Sequence, residues 1–535
     1  MSLRRKAVPS PARSQSRPKS LPAPTLGWVS AQNQAAAKPG TALVLENWFP
    51  TQTGIRLIGG SRKQARVHAT DPCRSGFAYV GGTSEKLFAA NATAIYDVTS
   101  PVDANVVPSA AVSGQTDGYY TAVNYATVGG HYLYACNDAD RPQLFDGTTW
   151  TQITGVSVPA ITGVTTTNLS HVSVYRNRLA FVERGTMNVW FLPVDSIGGA
   201  AIQVSLAGVF KLGGSVLLTA SWSMDSGDGL DDKFVVISTE GEFAVYQGSD
   251  PSSSTGWSIV GVYEMSAPLG KNTTMRAGGD LIIATEAGMI PISQAVAKDP
   301  AALSLAAISR NIQPDWVADA RERRSLPWEV MKWPSRGMAV VSCPVTGDDT
   351  TTPPWCYIVN LETGAWCKRT GWNTRCLMLF NDFVYFGSND GAIYQADITG
   401  QDNGATYYAK AVLAWDHLGS VGYEKTVLAA RAQFVTENSF IPQLSISVDY
   451  SISLPSPPNV SGDVDSPGVW DVGVWDVAKW DTAGNPQPYN TRWVSIGQTG
   501  YVVAAQVQVS VGSVTTPSAE LVIIDLLYEQ AELML

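Results

Sequence analysis

Residues 381–397, NDFVYFGSNDGAIYQAD, set the hydrophobic pattern that most of the chain repeats. Phe383, Val384, Tyr385 and Phe386 make a short run of aromatic and β-branched residues. Ser388, Asn389, Asp390 and Gly391 accept turn conformations, including positive φ, at little cost. Ala392, Ile393 and Tyr394 begin a returning run, so the stretch predicts a tight antiparallel hairpin. The same order recurs at residues 77–80 with 86–89 and 94–97, at 131–134 with 143–147, at 178–182 with 189–191, at 233–237 with 243–246, at 280–284, and at 338–342 with 357–360 and Trp366. Seven such units lie between residues 64 and 397, roughly forty to sixty residues apart. With about four short strands per unit, that spacing predicts an all-β fold, a β-propeller of six to seven blades. A four-stranded sheet covers both its faces only by packing against neighbours in a ring.

After residue 397 the pattern changes. Residues 400–406, GQDNGAT, read as a linker, and longer runs follow at 407–415, 425–435, 443–450, 493–496, 502–511 and 521–527. Gln506, Val507, Gln508 and Val509 alternate as a half-buried strand does. These runs predict a second, β-sandwich-like domain. Inside it, residues 454–487 are rich in Pro, Gly and Asp and carry Trp470, Trp475 and Trp480, each followed by Asp. An odd spacing puts neighbouring tryptophans on opposite faces of any strand, so they do not form one binding face. Large aromatics on a loop point either to an intersubunit wedge or receptor contact, or to packing on their own domain. At the other end, residues 1–41 lack periodicity and are rich in Pro, Ser, Ala and Arg, which predicts an extended arm. The expected domains are therefore the arm (1–41), the propeller (42–398) and a C-terminal β-domain (399–535).

Composition sharpens this picture. At 535 residues the chain exceeds one ordinary core. Only 15% of it is charged, below the ~25% usual in soluble domains, which fits a surface partly covered by neighbouring subunits. Residues 1–45 hold seven basic residues (Arg4, Arg5, Lys6, Arg13, Arg17, Lys19, Lys38) and no acid. The rest then has 29 basic and 46 acidic residues, a net charge of −17. A basic arm on an acidic body can lie along a neighbouring subunit, stay a solvated tail, or meet an anionic partner such as nucleic acid, with Arg4, Arg5 and Lys6 as its contact residues. No apolar run reaches the ~18 residues of a membrane span, and no apolar leader segment opens the chain.

The chemical inventory is thin. His68, His131, His171 and His417 stand outside any metalloprotease or deaminase spacing. There is no nucleophile elbow, no phosphate-binding loop at Gly270-Lys271 and no dinucleotide fingerprint. Asp146-Gly147-Thr148-Thr149-Trp150 resembles the Asp-box turn of sialidase propellers but is one residue short. Six cysteines without a C-x-x-C pair read as buried free thiols of a protein made in a reducing cytoplasm; Cys356 and Cys367 facing each other across one hairpin is the alternative. In residues 225–232, DSGDGLDD, Asp225, Asp228, Asp231 and Asp232 form a weak Ca²⁺ candidate, for which a solvated acidic loop is the better reading. Residues 311–333 hold the one helical stretch, with Asp315 as cap, Pro327 as stop, and Arg321, Arg323 and Arg324 pairing with acids. No catalytic or cofactor-binding residue is expected, and the chain reads as a non-enzyme.

Three segments, in order, resemble a known family. Asn-Trp-Phe-Pro at 47–50, Gly-Ile-Arg-Leu at 54–57 and Gly-Gly-Ser-Arg-Lys at 59–63, followed by propeller hairpins, resemble the tail nozzle proteins of short-tailed (podovirus-like) bacteriophages. These are also described as packaged-DNA-stabilisation or tail accessory proteins. Residues 168–195, where Arg176-Asn177-Arg178-Leu179 leads to Trp190-Phe191, and residues 328–369, with Pro354-Trp355-Cys356 and Trp366-Cys367-Lys368, continue the likeness over about residues 42–397. The resemblance implies a structural virion protein without cofactors, assembled as a homo-oligomeric ring like the family's hexamer. It implies head–tail adaptor or portal proteins above, tail fibre or needle proteins as neighbours, and double-stranded DNA in the lumen. The implied role is to retain the packaged genome and conduct it during ejection, in the virion tail, after synthesis in the host bacterial cytoplasm. The basic arm and the tryptophan-rich insert depart from the family pattern. The alternatives are a glycan-binding or glycan-hydrolysing propeller of the tail, and a generic propeller scaffold.

Overall fold

The computed structural model describes residues 16–531 except 83, 102–105, 226–229, 254, 347–353, 438–440, 460–486 and 514–517. It is mostly β, with 51% strand and 8% helix, so short inter-strand ladders carry the architecture. The described residues divide into two compact units. One comprises 58–407 with 512–516, the other the residues up to 57 with 408–511 and 517–535.

The first unit is a β-propeller. Blade 1 is Ser75–Val80, Glu85–Ala90, Ala94–Asp97 and Ala110–Ser113. Blade 2 is Thr121–Thr127, Gly130–Cys136, Gln143–Phe145 and Trp150–Gln152, and blade 3 is Leu169–Tyr175, Arg178–Glu183, Asn188–Phe191 and Ile202–Ser205. Blade 4 is Val216–Asp225, Leu230–Ser238, Glu242–Gly248 and Trp257–Glu264. Blade 5 has three strands, Thr274–Ala277, Asp280–Thr285 and Gly288–Pro291. Blade 6 is Val330–Trp333, Met338–Cys343, Trp355–Asn360 and Trp366–Thr370. Blade 7 is Cys376–Phe380, Phe383–Gly387 and Ala392–Thr399, completed by Gly60–Arg66 from before blade 1. Six four-stranded blades and a three-stranded one thus close the ring, with the seam in blade 7.

The repeating hairpin forms as its residues dictate. Tyr385 pairs with Gln395 and Phe386 with Tyr394, and Gly391 turns the chain at φ 74°. A second turn, Asn381-Asp382 at φ 48° and 62°, brings in Cys376–Phe380, a strand the hydrophobic run starting at Phe383 did not announce. At the seam the backbones nearly touch: a Cβ on Gly60 would sit 2.1 Å from the Gln401 carbonyl oxygen, so the second glycine of the Gly-Gly-Ser-Arg-Lys segment is a spatial necessity. Neighbouring blades share apolar layers. Ala65, Leu87, Tyr96, Met378 and Ile393 fill the layer between blades 7 and 1, and Phe77, Phe88, Leu133 and Phe145 the next one.

In blade 5, helices follow the third strand. Gln313–Glu322 buries Trp316, which stacks on Tyr357 at 5.5 Å and donates from Nε1 to the Thr285 carbonyl at 2.9 Å. The helix begins earlier than the sequence predicted: Ile312 occupies the cap, Pro314 the first turn, and Asp315 lies inside that turn. Of the three arginines, Arg321 is exposed and Arg324 pairs with Glu286 at 2.9 Å. Arg323 is instead buried, donating to the Cys343 carbonyl at 3.0 Å with its guanidinium 3.6 Å from the centre of the Trp355 ring.

The second unit has two sheets. One runs Trp48–Pro50, Ile55–Leu57, Ala519–Gln530, Lys425–Thr436 and Gln487–Asn490, with Val494–Gly500 also on Lys425–Thr436. The other contains Ala42–Glu46, Tyr407–Leu413, Val503–Val511 and Gln443–Val448. Residues 42–57, expected to open the propeller, therefore belong with the C-terminal strands: Ala42 pairs with Leu413 and Ile55 with Leu521. Residues 399–407, expected in the C-terminal domain, group with the propeller. The sequence marks these strands but not which sheet they join. The arm is strand-forming in part, since Arg17–Pro22 lies antiparallel on Ala519–Gln530, from Arg17↔Tyr528 to Pro22↔Ile523. Arg4, Arg5, Lys6, Trp470, Trp475 and Trp480 lie outside the described residues.

Candidate functional site

Seven innermost strands surround the propeller axis and enclose a cavity of about 660 Å³ lined by Asn124, His171, Ser173, Ser221, Lys271, Arg276 and Glu329, among others. Close to the axis there is little room for bulky pairs. These strands accordingly mix small, polar and apolar residues, as in TAVNYAT of Thr121–Thr127.

The end of the cavity where these strands begin is closed by a buried polar network. Lys271, only 7% exposed, donates from Nζ to the Ser170 carbonyl at 3.1 Å and pairs with Asp138. The Asn272 amide donates to the Tyr120 carbonyl at 3.2 Å and to Glu329 Oε1 at 2.9 Å. Glu329 Oε2 accepts the Leu377 backbone N–H at 2.7 Å. Groups from blades 3 and 7 and from the segments leading into blades 2, 5 and 6 are thereby tied across the hub. Burying such groups is tolerable because each is hydrogen-bonded.

Electrostatics at this end are perturbed by burial. The Glu329 carboxyl is pushed up to about 7, chiefly by desolvation, against the pull of Asn272, the Leu377 N–H and Arg375. His171 is pushed down to about 3 by burial and then by the Lys271 ammonium, and its Nδ1 finds no hydrogen-bond partner among the described residues. The Tyr119 phenol is raised far above its usual range by burial and by Glu329. Sequence reading noted His171 only as one histidine of four and Lys271 only as the end of a failed phosphate loop, and it passed over Glu329. The available signal was a lone acid between Trp328 and Val330 at a strand start.

Chemically, the hub can hold a proton near neutrality and accept hydrogen bonds. Glycoside hydrolysis of the usual kind needs two carboxyl groups across the scissile bond. Among the described lining residues Glu329 is the one carboxyl group, and both its oxygens are engaged.

The other sequence candidates are dispersed. Asp146 makes a self-contained turn, accepting from the Thr148 and Thr149 N–H groups at 2.8 and 2.7 Å. Of the calcium candidates, Asp228 lies outside the described residues, and Asp225 and Asp231 sit within strands rather than on a loop. The Asp232 carboxylate is occupied by the Ser223 hydroxyl, and its strand pairs with Val216–Asp225 up to Asp225↔Leu230, which shortens the expected acidic loop. All six cysteines are buried and none is in a disulfide. Cys356 lies opposite Arg369 and Cys367 opposite Ile358, so the expected alternative of a directly facing pair is not formed.

The residues that carry the family resemblance occupy demanding positions. Asn47 is left-handed at φ 62° and donates to the Tyr408 carbonyl at 2.7 Å, and Trp48 is fully buried. Arg176 and Asn177 form the hairpin turn, at φ 43° and 55°, and Trp190 donates to Glu183 at 2.9 Å.

No family model and no curated protein matches the chain. Among solved structures it is similar to the computationally designed Ika8 protein, at 9% identity and TM-score 0.35 over 63% of this chain and all of the other. It is similar also to the β-propeller domain of Cps50 (Swd1) from Myceliophteria thermophila, at 12% and 0.37 over 64% of this chain and all of that one. A third is BBS1N in complex with ARL6DN, at 10% and 0.38 over 64% and 97%.

Proposed function

We propose that this chain is a structural virion protein, the tail nozzle subunit of a short-tailed phage, which extends the DNA channel below the portal or adaptor, retains the genome and conducts it on ejection. The observation that carries the reading is the order of the nozzle-like segments at residues 47–63, 168–195 and 328–369 along a chain that builds a propeller and a β-domain. The hub favours this over glycan hydrolysis, because the one carboxyl group among its described lining residues is bound into the network that closes one end. A cavity of about 660 Å³ plugged by side chains is no conduit for duplex DNA, so the channel is the space enclosed by a ring of subunits. Walls drawn from a body of net charge −17 repel phosphates and let a duplex slide without sticking.

Native mass measurement on the full-length chain tests this. The expected result is a closed ring of about six chains of 57.1 kDa that binds adaptor or portal protein. A lasting monomer that turns over or captures surface glycans would replace the nozzle by the glycan-directed alternative.

A further inference from the structure

The seam between the last blade and the first brings two thiols together. Cys73 lies just before the innermost strand of blade 1, and Cys376 is the first residue of the innermost strand of blade 7. They are 303 residues apart in sequence, fully buried, and their Sγ atoms are 3.7 Å apart. Both backbones are held: the Cys73 N–H donates to the Ser388 carbonyl at 3.1 Å, and Cys376 pairs with Gly387. Gly387 makes the approach possible, since a Cβ there would sit 2.5 Å from both sulfurs. We propose that Cys73 and Cys376 are a modification site, a thiol pair that a small-molecule disulfide oxidises to a bond fastening blade 7 to blade 1.

The geometry is nearly sufficient. An S–S bond of about 2.05 Å needs the sulfurs to close by less than about 2 Å, within reach of side-chain rotation. The chemistry balances with oxidised glutathione as the oxidant class. One cysteine thiolate attacks a glutathione sulfur, forms a mixed disulfide and expels one glutathione thiolate. The second cysteine then attacks the protein-bound sulfur and expels the other. Two S–H bonds are lost, one S–S bond is gained, and the two electrons and two protons end on two glutathione thiols. Burial and the neighbouring Cys73 raise the Cys376 thiol, so exchange waits on local opening and speeds up with rising pH. The seam is otherwise closed by the ladder of Gly60–Arg66 on Ala392–Thr399 and by the apolar layer around it. A covalent tie there blocks ring opening once the protein leaves a reducing cytoplasm, and it stands whether or not the tail assignment does.

The test exposes the full-length protein to oxidised glutathione at pH 8.5, with and without mild urea, followed by alkylation, digestion and mass spectrometry. Expected are loss of two of the six thiols, a linked peptide pair containing Cys73 and Cys376, and a thermal midpoint raised by roughly 5 °C that dithiothreitol reverses. Cys376→Ser is expected to show none of the three changes. The linked peptide is read on the unaltered chain, so a poorly folding variant leaves the test intact. Six titratable thiols after exposure, glutathione adducts alone, or a different linked pair would overturn the proposal.

Discussion

Glu329 and His171 line the same hub, and folding shifts their proton affinities in opposite directions. The folded chain holds a proton on Glu329 up to about 7, whereas an unfolded one releases it near 4.5. Between those values the folded state binds more protons, so this contribution falls as pH rises. His171 binds its proton only near 3 when folded and at 6.5 when unfolded, so its contribution rises with pH across that window. The two offset each other between about 4.5 and 6.5. Relative to the parent, Glu329→Gln is expected to gain stability progressively from pH 4.5 to 7, by roughly 3 kcal/mol across the window. Relative to the parent, His171→Asn should lose stability progressively from pH 3 to 6.5. Urea midpoints at a series of pH values check both, and parallel pH curves for parent and variants would sink the hub description. None of this is legible in the sequence, where Glu329 is one acid among 46 and its burial depends on blades 5, 6 and 7 meeting.

At the scale of elements, the helix Gln313–Glu322 and the seam strand Gly60–Arg66 are the parts whose loss the ring should feel most. Trp316→Ala removes a fully buried ring that touches Trp328, Tyr357 and Trp366, and should lower unfolding free energy by about 3–5 kcal/mol. Arg321→Ala, on the exposed face, should stay within about 0.5 kcal/mol. Gly60→Ala forces the seam apart and should cost about 1–3 kcal/mol, with proteolysis at the seam rising alongside the loss in chemical denaturation. Second and third strands of the blades were readable because they lie in the apolar layers and carry unbroken runs, as Met338–Cys343 does. The innermost strands Thr274–Ala277 and Val330–Trp333 were not, because one face meets the polar cavity and their alternation is short, whereas the more aromatic innermost run of blade 1 at 77–80 was.

For the whole molecule the prediction concerns assembly. Removing residues 1–15 deletes Arg4, Arg5, Lys6 and Arg13 from the basic arm. If the arm holds neighbouring subunits, the deletion shifts native mass spectra toward smaller species while duplex binding stays unchanged. Should duplex binding fall instead, with the log–log salt slope shrinking by about 4, the arm is a phosphate contact. Arg17–Pro22, by contrast, has its partner in the same chain, with Ser20 bonded to Asp525 at 2.5 Å, so cutting past Pro22 should also destabilise the second unit, visible as a lower thermal midpoint.

The sequence determined the class of the fold, because hairpin periodicity and turn residues are local properties of a few neighbouring positions. It also determined the charge asymmetry and the places where the chain must bend. Only the tertiary structure decided that Gly60–Arg66 closes blade 7 and that residues 42–57 join the C-terminal strands, because sheet membership depends on pairings hundreds of residues apart. It alone placed Glu329 beside Asn272 and Cys73 beside Cys376, because burial and proximity across a closed ring belong to no single stretch of chain.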